Sequence, residues 1–181
     1  MSFLIYGAGG HANVLADLGS INGATVPVMF SDDAQHHSED GRVMICAYDP
    51  LLFPALPLVI GIGNNKVREL LASKVRHTFT RLIHPKVVVA ADALIGEGTV
   101  VLANAVIQAN CRIGNHVIIN AGAVIDHDAI ISDFAHVAAN AYIGGGAVIE
   151  KNVLVGQGAV VTRNTVVKEG TVIPPLTVVG A

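Results

Sequence analysis

The chain has 181 residues, 52% of them hydrophobic and 14% charged, with a formal net charge of -3. That length allows one ordinary domain or two small ones. The 11 Lys and Arg form no basic stripe, and Cys46 and Cys111 lie far apart without a CxxC spacing, so nucleic-acid binding, a disulfide framework and a cysteine zinc site are all disfavoured.

The chain opens with Met1-Ser2-Phe3-Leu4-Ile5-Tyr6, which runs directly into a glycine turn with no charged segment ahead of an apolar one. The apolar residues are not contiguous elsewhere. The stretch from Pro50 to Gly63 is too short to span a bilayer and contains Pro54 and Pro57. A cytoplasmic protein without membrane attachment is expected.

Phe3 to Tyr6 reads as a buried strand, followed by Gly7-Ala8-Gly9-Gly10-His11-Ala12 and a helix to about Gly19. Gly7, Gly9 and Ala12 fit the G-x-G-x-x-G/A fingerprint, in which backbone N–H groups at a helix start approach a phosphate. A tight strand-to-helix turn also needs glycine without any ligand. Val26 to Phe30 reads as a second strand ending in Ser31-Asp32-Asp33, an acidic pair suited to a ribose or a base. Leu58 to Ile62 reads as a third, ending in Gly63-Asn64-Asn65 before a helix to about Lys74. The expectation is an α/β Rossmann-like unit with a parallel sheet over residues 1–84. Fewer than 90 residues precede the coils, so a mononucleotide fits better than a dinucleotide.

From Val89 to Ile173 every sixth residue is Ile or Val, and four places after each stands a small or medium residue such as Ala93, Ala105, Cys111 or Ala129. Glycines often fall between them. Neither a helix near 3.6 residues per turn nor a plain strand of period two gives a strict six. A solenoid does, with one short strand and one corner per hexad and the β-branched residue in a shared core. A parallel β-helix is therefore expected over residues 85–181.

Three of the eight histidines, His116, His127 and His136, interrupt the repeat. His127 stands third in Ile125-Asp126-His127-Asp128-Ala129-Ile130. With three hexads per coil it stacks between Ala109 and Gly145, both minimal in size. A histidine between carboxylates suits a general base, because a carboxylate can hold Nδ1–H and leave Nε2 to take a proton. Gly145 can offer a bare N–H to an oxyanion. A solvated corner carrying an ordinary polar residue is the alternative. His136 is either a second polar group in the cleft or a subunit contact. His116 reads as a surface corner, and His36 and His37 as part of a solvated loop from Ser31 to Asp40.

The ordered motifs Gly7-Ala8-Gly9-Gly10-His11, Asp32-Asp33, Gly61-Ile62-Gly63-Asn64-Asn65, Leu82-Ile83-His84-Pro85 and Asn120-Ala121-Gly122-Ala123-Val124-Ile125-Asp126-His127-Asp128 resemble the PglD/NeuD-like sugar acetyltransferases over nearly the whole chain. The resemblance implies a left-handed β-helix, a homotrimer with active sites at subunit interfaces, acetyl-CoA as cosubstrate, no metal, and a nucleotide sugar held by the front unit. Carried over by position, it makes His127 the general base, Asp128 its orienting carboxylate and His136 a second cleft histidine. Gly145 becomes the donor to the thioester carbonyl, and Gly9, Gly10, His11, Asp32, Asp33 and Asn64 the substrate contacts. Two departures stand out. Asp128 is shorter than the glutamate often found there, with Asp126 as a possible substitute, and the chain ends at Val179-Gly180-Ala181 where relatives usually continue into a tail that helps hold CoA.

The expected reaction is acetyl transfer from acetyl-CoA to the amine of a nucleotide-linked, UDP-type 4-amino sugar, without a covalent enzyme intermediate. The alternatives are O-acetylation of a sialic acid and a catalytically silent nucleotide-sugar-binding trimer. A zinc hydratase on a β-helix is disfavoured by the histidine spacing.

Overall fold

The computed structural model describes residues 2–33 and 43–180. The chain divides into two compact units, one up to Leu82 and one from Ile83.

The front unit holds a four-stranded parallel sheet in the order β3-β2-β1-β4, where β1 is Leu4–Tyr6, β2 Val28–Phe30, β3 Met44–Cys46 and β4 Leu58–Ile60. Strands β1, β2 and β4 are buried at every residue, as parallel strands covered on both faces must be. Helix α1 (Gly10–Ile21) buries Ala12, Leu15, Leu18 and Gly19, one stripe at helical spacing, and α2 (Asn65–Lys74) buries Arg68 and Leu71. Sequence reading missed β3, an edge strand whose Met44 is exposed and whose alternation is weak. It also carried the last strand to Ile62. The chain leaves the sheet at Gly61, where a Cβ would lie 3.0 Å from Ala12 of α1. The run holding His36 and His37 lies outside the described residues from position 34 onward.

The second unit is a parallel β-helix of two-residue strands, from β5 (Leu82–Ile83) to β21 (Val178–Val179), arranged in three sheets of five, six and six strands. Register repeats every 18 residues: Leu94, Arg112, Ile130, Val148 and Val166 stack in line. The second residue of each strand points inward, and Ile107, Ile119, Ile125, Ile131 and Ile143 are all but fully buried. Ala123, Ala129, Ala135 and Ala141 close the corners beside them, a buried position that also takes Cys111, Val117 and Val153 but no larger side chain.

Each corner turns through one residue in the left-handed region. It falls every sixth position from Gly98 through Asn104, Asn110, His116, Gly122 and Asp128 to Leu176. Glycine, asparagine and aspartate tolerate that conformation, whereas a bulky side chain costs about 1–2 kcal/mol there. His116 (φ 54), Phe134 (φ 60) and Leu176 (φ 57) are bulky exceptions.

Candidate active site

The corner between β12 (Val124–Ile125) and β13 (Ile130–Ile131) carries Asp126, His127 and Asp128. Asp128 takes the left-handed position (φ 62), and its N–H donates to Ala109 O on the previous rung. On the next rung the Gly146 N–H donates to His127 O. The rungs therefore fix the backbone on both sides of His127.

His127 Nδ1–H donates to Asp128 Oδ2 at 2.7 Å, and Asn110 Nδ2 donates to Asp128 Oδ1 at 3.1 Å. Because a carboxylate only accepts, the proton on Nδ1 is assigned and Nε2 is left as the acceptor. Nε2 has no hydrogen-bond partner among the described residues. The short Asp128 reaches the ring, while Asp126 does not orient it. Asp126 accepts from Tyr142 Oη at 2.7 Å and from the His127 N–H at 2.8 Å. The Asp128 hydrogen bond, then the charge of Asp126, raises the His127 pKa. Asp128 is lowered by the same bond and by Asn110, and Asp126 is lowered by Tyr142, with the His127 and Gly145 N–H groups adding to it.

Gly145 is buried beneath the imidazole. A Cβ built there would stand 2.8 Å from Nε2 and 3.0 Å from Cε1. The space beside His127 that the sequence predicts is thus occupied on this side by the ring itself, and any side chain at 145 would displace it.

The other two histidines of the repeat lie elsewhere. His136 sits on strand β14 (His136–Val137), in a different sheet from β12 and β13, half-buried between Ile118 and Leu154, with Asn120 Nδ2 3.5 Å from its Nε2. Within one copy it does not share the His127 corner. His116, read from sequence as a surface corner, is buried: its ring stacks on Phe134 (5.2 Å between centroids, 3° between planes) and covers Gly98. Lys151 Nζ caps Phe134 at 5.6 Å.

In the front unit the glycines have separate causes. Gly7 has φ +129, and a Cβ there would meet Gly61 O at 2.8 Å, so packing and conformation both require it. Gly9 and Gly10 are exposed with nothing within 4 Å of a Cβ. They leave the mouth of α1 open, and no side chain caps its first turn, which suits an anion. Behind them His11 Nε2 is buried without a partner among the described residues, and burial, then the charge of Arg68, lowers the His11 pKa to about 4. Asp32, just past β2, accepts from Tyr6 Oη with both oxygens. The Asp33 N–H donates to Ser31 Oγ. Asn64 Oδ1 caps α2 by accepting from Val67 N–H at 3.1 Å, so its oxygen is engaged. The buried Arg68 braces the loop before α2, donating to Ile62 O, Gly63 O and Asn65 Oδ1.

Asn110, Tyr142, Tyr6 and Arg68 were not singled out from sequence. Counting 18 back from Asp128 finds Asn110, and 18 on from Val124 finds Tyr142. Tyr6 and Arg68 reach their partners only through the packing of the sheet and the α2 loop. Among the described residues no group of His, Cys, Asp and Glu is arranged to hold a metal ion, and no helix is long and apolar enough to cross a membrane.

Comparison with known proteins gives a model of the GMPPB C-terminal domain matching residues 79–180 and a model of the PglD N-terminal domain matching residues 2–75. A curated UDP-N-acetylbacillosamine N-acetyltransferase from Bacillus subtilis (strain 168) is 36% identical over 103 residues, covering 52% of this chain and 48% of that protein. The match thus spans about half the length of that relative. Among solved structures, a mutant of perosamine N-acetyltransferase from Caulobacter crescentus in complex with CoA and GDP-perosamine aligns over 98% of this chain and 92% of its own, at 27% identity and a TM-score of 0.81. The acetyltransferase domain of PglB from Neisseria gonorrhoeae aligns over 96% of each chain, at 27% identity and a TM-score of 0.71.

Proposed function

The chain belongs to the GMPPB C-terminal domain family and, through its PglD N-terminal domain, to the PglD-like sugar acetyltransferases, and from that premise we propose that it acetylates the amine of a nucleotide-linked amino sugar with acetyl-CoA. The observation that carries the reading is the His127 corner. An imidazole held at Nδ1 by Asp128, seated on a glycine and open at Nε2, is a general base in position.

The chemistry needs little else. The sugar nitrogen attacks the thioester carbonyl carbon while His127 Nε2 takes the amine proton, so no separate nucleophile is required. The Gly145 N–H, drawn otherwise toward Asp126, stabilises the oxyanion. As the C–S bond breaks, the imidazolium returns the proton to the departing thiolate. Cys111 takes no part, being buried in the coil with its Sγ–H directed at Asp126 O.

The front unit is proposed as a Rossmann-like mononucleotide site, with the open start of α1 (Gly9, Gly10, His11) taking phosphate and Asp32 and Asp33 the nucleoside. Asn64 contributes through its amide nitrogen, since its oxygen caps α2. The β-helix is proposed to be left-handed and to assemble as a homotrimer. A neighbouring copy then supplies the second wall of each cleft and can bring its His136 toward the His127 corner, an arrangement one copy does not make.

UDP- and GDP-linked 4-amino sugars are the substrates to offer first, since one relative is named for a UDP sugar and one solved neighbour holds GDP-perosamine. The test is thiol release from acetyl-CoA in the presence of each, beside a sialic acid. Turnover with a nucleotide amino sugar is expected, unchanged by dialysis against a chelator. Turnover confined to the sialic acid would replace the reading by O-acetylation, and tight nucleotide-sugar binding without thiol release would leave a binding protein.

A further inference from the structure

Tyr6 ends β1 with its side chain only 6% exposed, while Asp32 lies exposed two residues past the end of β2. The two strands pair in parallel with Tyr6 beside Phe30, and the Gly7 N–H donates to Phe30 O at 2.7 Å. The carboxylate therefore stands at the same strand ends as the glycine turn. Tyr6 Oη reaches both of its oxygens, at 3.0 and 2.9 Å. The phenol is itself clamped: Tyr48 stacks on it with centroids 5.2 Å apart, and Phe30 meets it edge-on at 6.2 Å. Tyr48 is fixed in turn by the Arg76 N–H, which it accepts, and by the buried His77 Nδ1, to which it donates.

A buried tyrosine needs a partner for its hydroxyl, and Asp32 meets that need whatever else it does. The geometry adds something further. One donated proton shared across the fork fixes the plane of an exposed carboxylate and leaves each oxygen one further lone pair, the two directed apart on opposite sides of the fork. Either of these can accept from a ribose 2′-hydroxyl, while the fork itself, which a bridging diol would need, is taken by the phenol. An acid just past the second strand of a parallel mononucleotide fold stands where ribose hydroxyls arrive. Burial, then the Asp32 hydrogen bond, raises the Tyr6 pKa to about 12, so the phenol remains a donor across the working pH range.

Resting on the nucleotide-site reading above, we propose that Tyr6 is a positioning residue that holds Asp32 for the ribose 2′-hydroxyl, so that the front unit selects ribonucleotides over 2′-deoxyribonucleotides whatever the base.

The experiment is calorimetric titration of the full chain with UDP, 2′-deoxy-UDP, GDP and 2′-deoxy-GDP. The protein with its own sequence should bind the ribo forms roughly 10- to 100-fold more tightly than their deoxy counterparts, as expected for a hydrogen bond to a charged acceptor. Tyr6→Phe should weaken UDP and GDP by about 5- to 20-fold, leave the deoxy forms nearly unchanged, and so collapse the ratio. The acetyl-CoA KM should not move. Asp32→Asn keeps the shape, should collapse the ratio as well, and decides the matter if Tyr6→Phe does not fold. Nucleotide binding with a ratio near one, a ratio that survives both substitutions, or losses that follow the base instead of the sugar would each overturn the proposal while leaving the nucleotide site standing. Absence of binding to all four nucleotides would remove the nucleotide site as well.

Discussion

Two corners of the β-helix each carry a histidine, and they use it in opposite ways. His127 stands one place before the left-handed turn residue, and His116 occupies the turn position itself. The residues one rung away complete the difference. His127 lies over Gly145 with the rest of its ring in solvent and a carboxylate at Nδ1, while His116 is enclosed between Gly98 and Phe134. Stacking of about 0.5–1.5 kcal/mol offsets much of the cost of a bulky left-handed residue, so the His116 corner reads as packing, while the His127 ring stays exposed with a carboxylate at Nδ1. A histidine in a solenoid is thus interpreted by its place in the hexad and by the residues 18 before and after it.

The substitution with the largest expected effect is His127→Ala. It should lower kcat by roughly 10²- to 10⁴-fold with KM values and assembly retained, the signature of a lost general base. A silent His127→Ala enzyme would put the two corners in the same class. Gly145→Val comes next, because its Cβ would enter the space of the imidazole. Displacing the ring should cost about 100-fold in kcat, within the range for a mispositioned base. Unchanged acetyl-CoA kinetics in that variant would remove Gly145 from the site.

Asp128→Asn sharpens the comparison through pH. The Asp128 hydrogen bond, followed by the charge of Asp126, raises the His127 pKa, and a general base works in its neutral form. Activity should therefore climb as pH rises through that raised pKa. Removing the carboxylate stabilises the imidazolium less, so the acid limb of the kcat profile should move to lower pH, with a plateau about tenfold lower. A limb that stays in place would separate the titration from His127.

The smallest catalytic effect belongs to the other corner. His116→Ala should leave kcat unchanged and lower unfolding stability by about 1–3 kcal/mol, measured by denaturant titration. His116→Asn should cost less, since asparagine accepts the left-handed turn. A kinetic defect in either would mean that this corner is not packing alone.

The β-helix was legible because its period is local and redundant: each rung repeats the same inward Ile or Val and the same small corner residue. That regularity placed Gly145 over His127 by counting alone. It did not reveal His116 as buried, because that depends on Phe134 being aromatic at a position where Gly or Asn is usual. In the front unit Gly7 and Gly9 look alike in the fingerprint, yet Gly7 is demanded by Gly61 and Gly9 by nothing in its surroundings. Edge strand β3 went unseen because half-exposed residues carry little alternation.

The sequence by itself determined the period, the inward face and the Asp126-His127-Asp128 triplet, since each is a matter of residues adjacent in the chain or spaced by a fixed count. Tertiary structure alone decided which carboxylate holds the imidazole, that His136 belongs to another face, and that Tyr6 grips Asp32 across the sheet. The reason is physical: a hydrogen bond is set to within a few tenths of an ångström by side-chain direction, and direction is fixed by whatever packs alongside, often from a distant part of the chain.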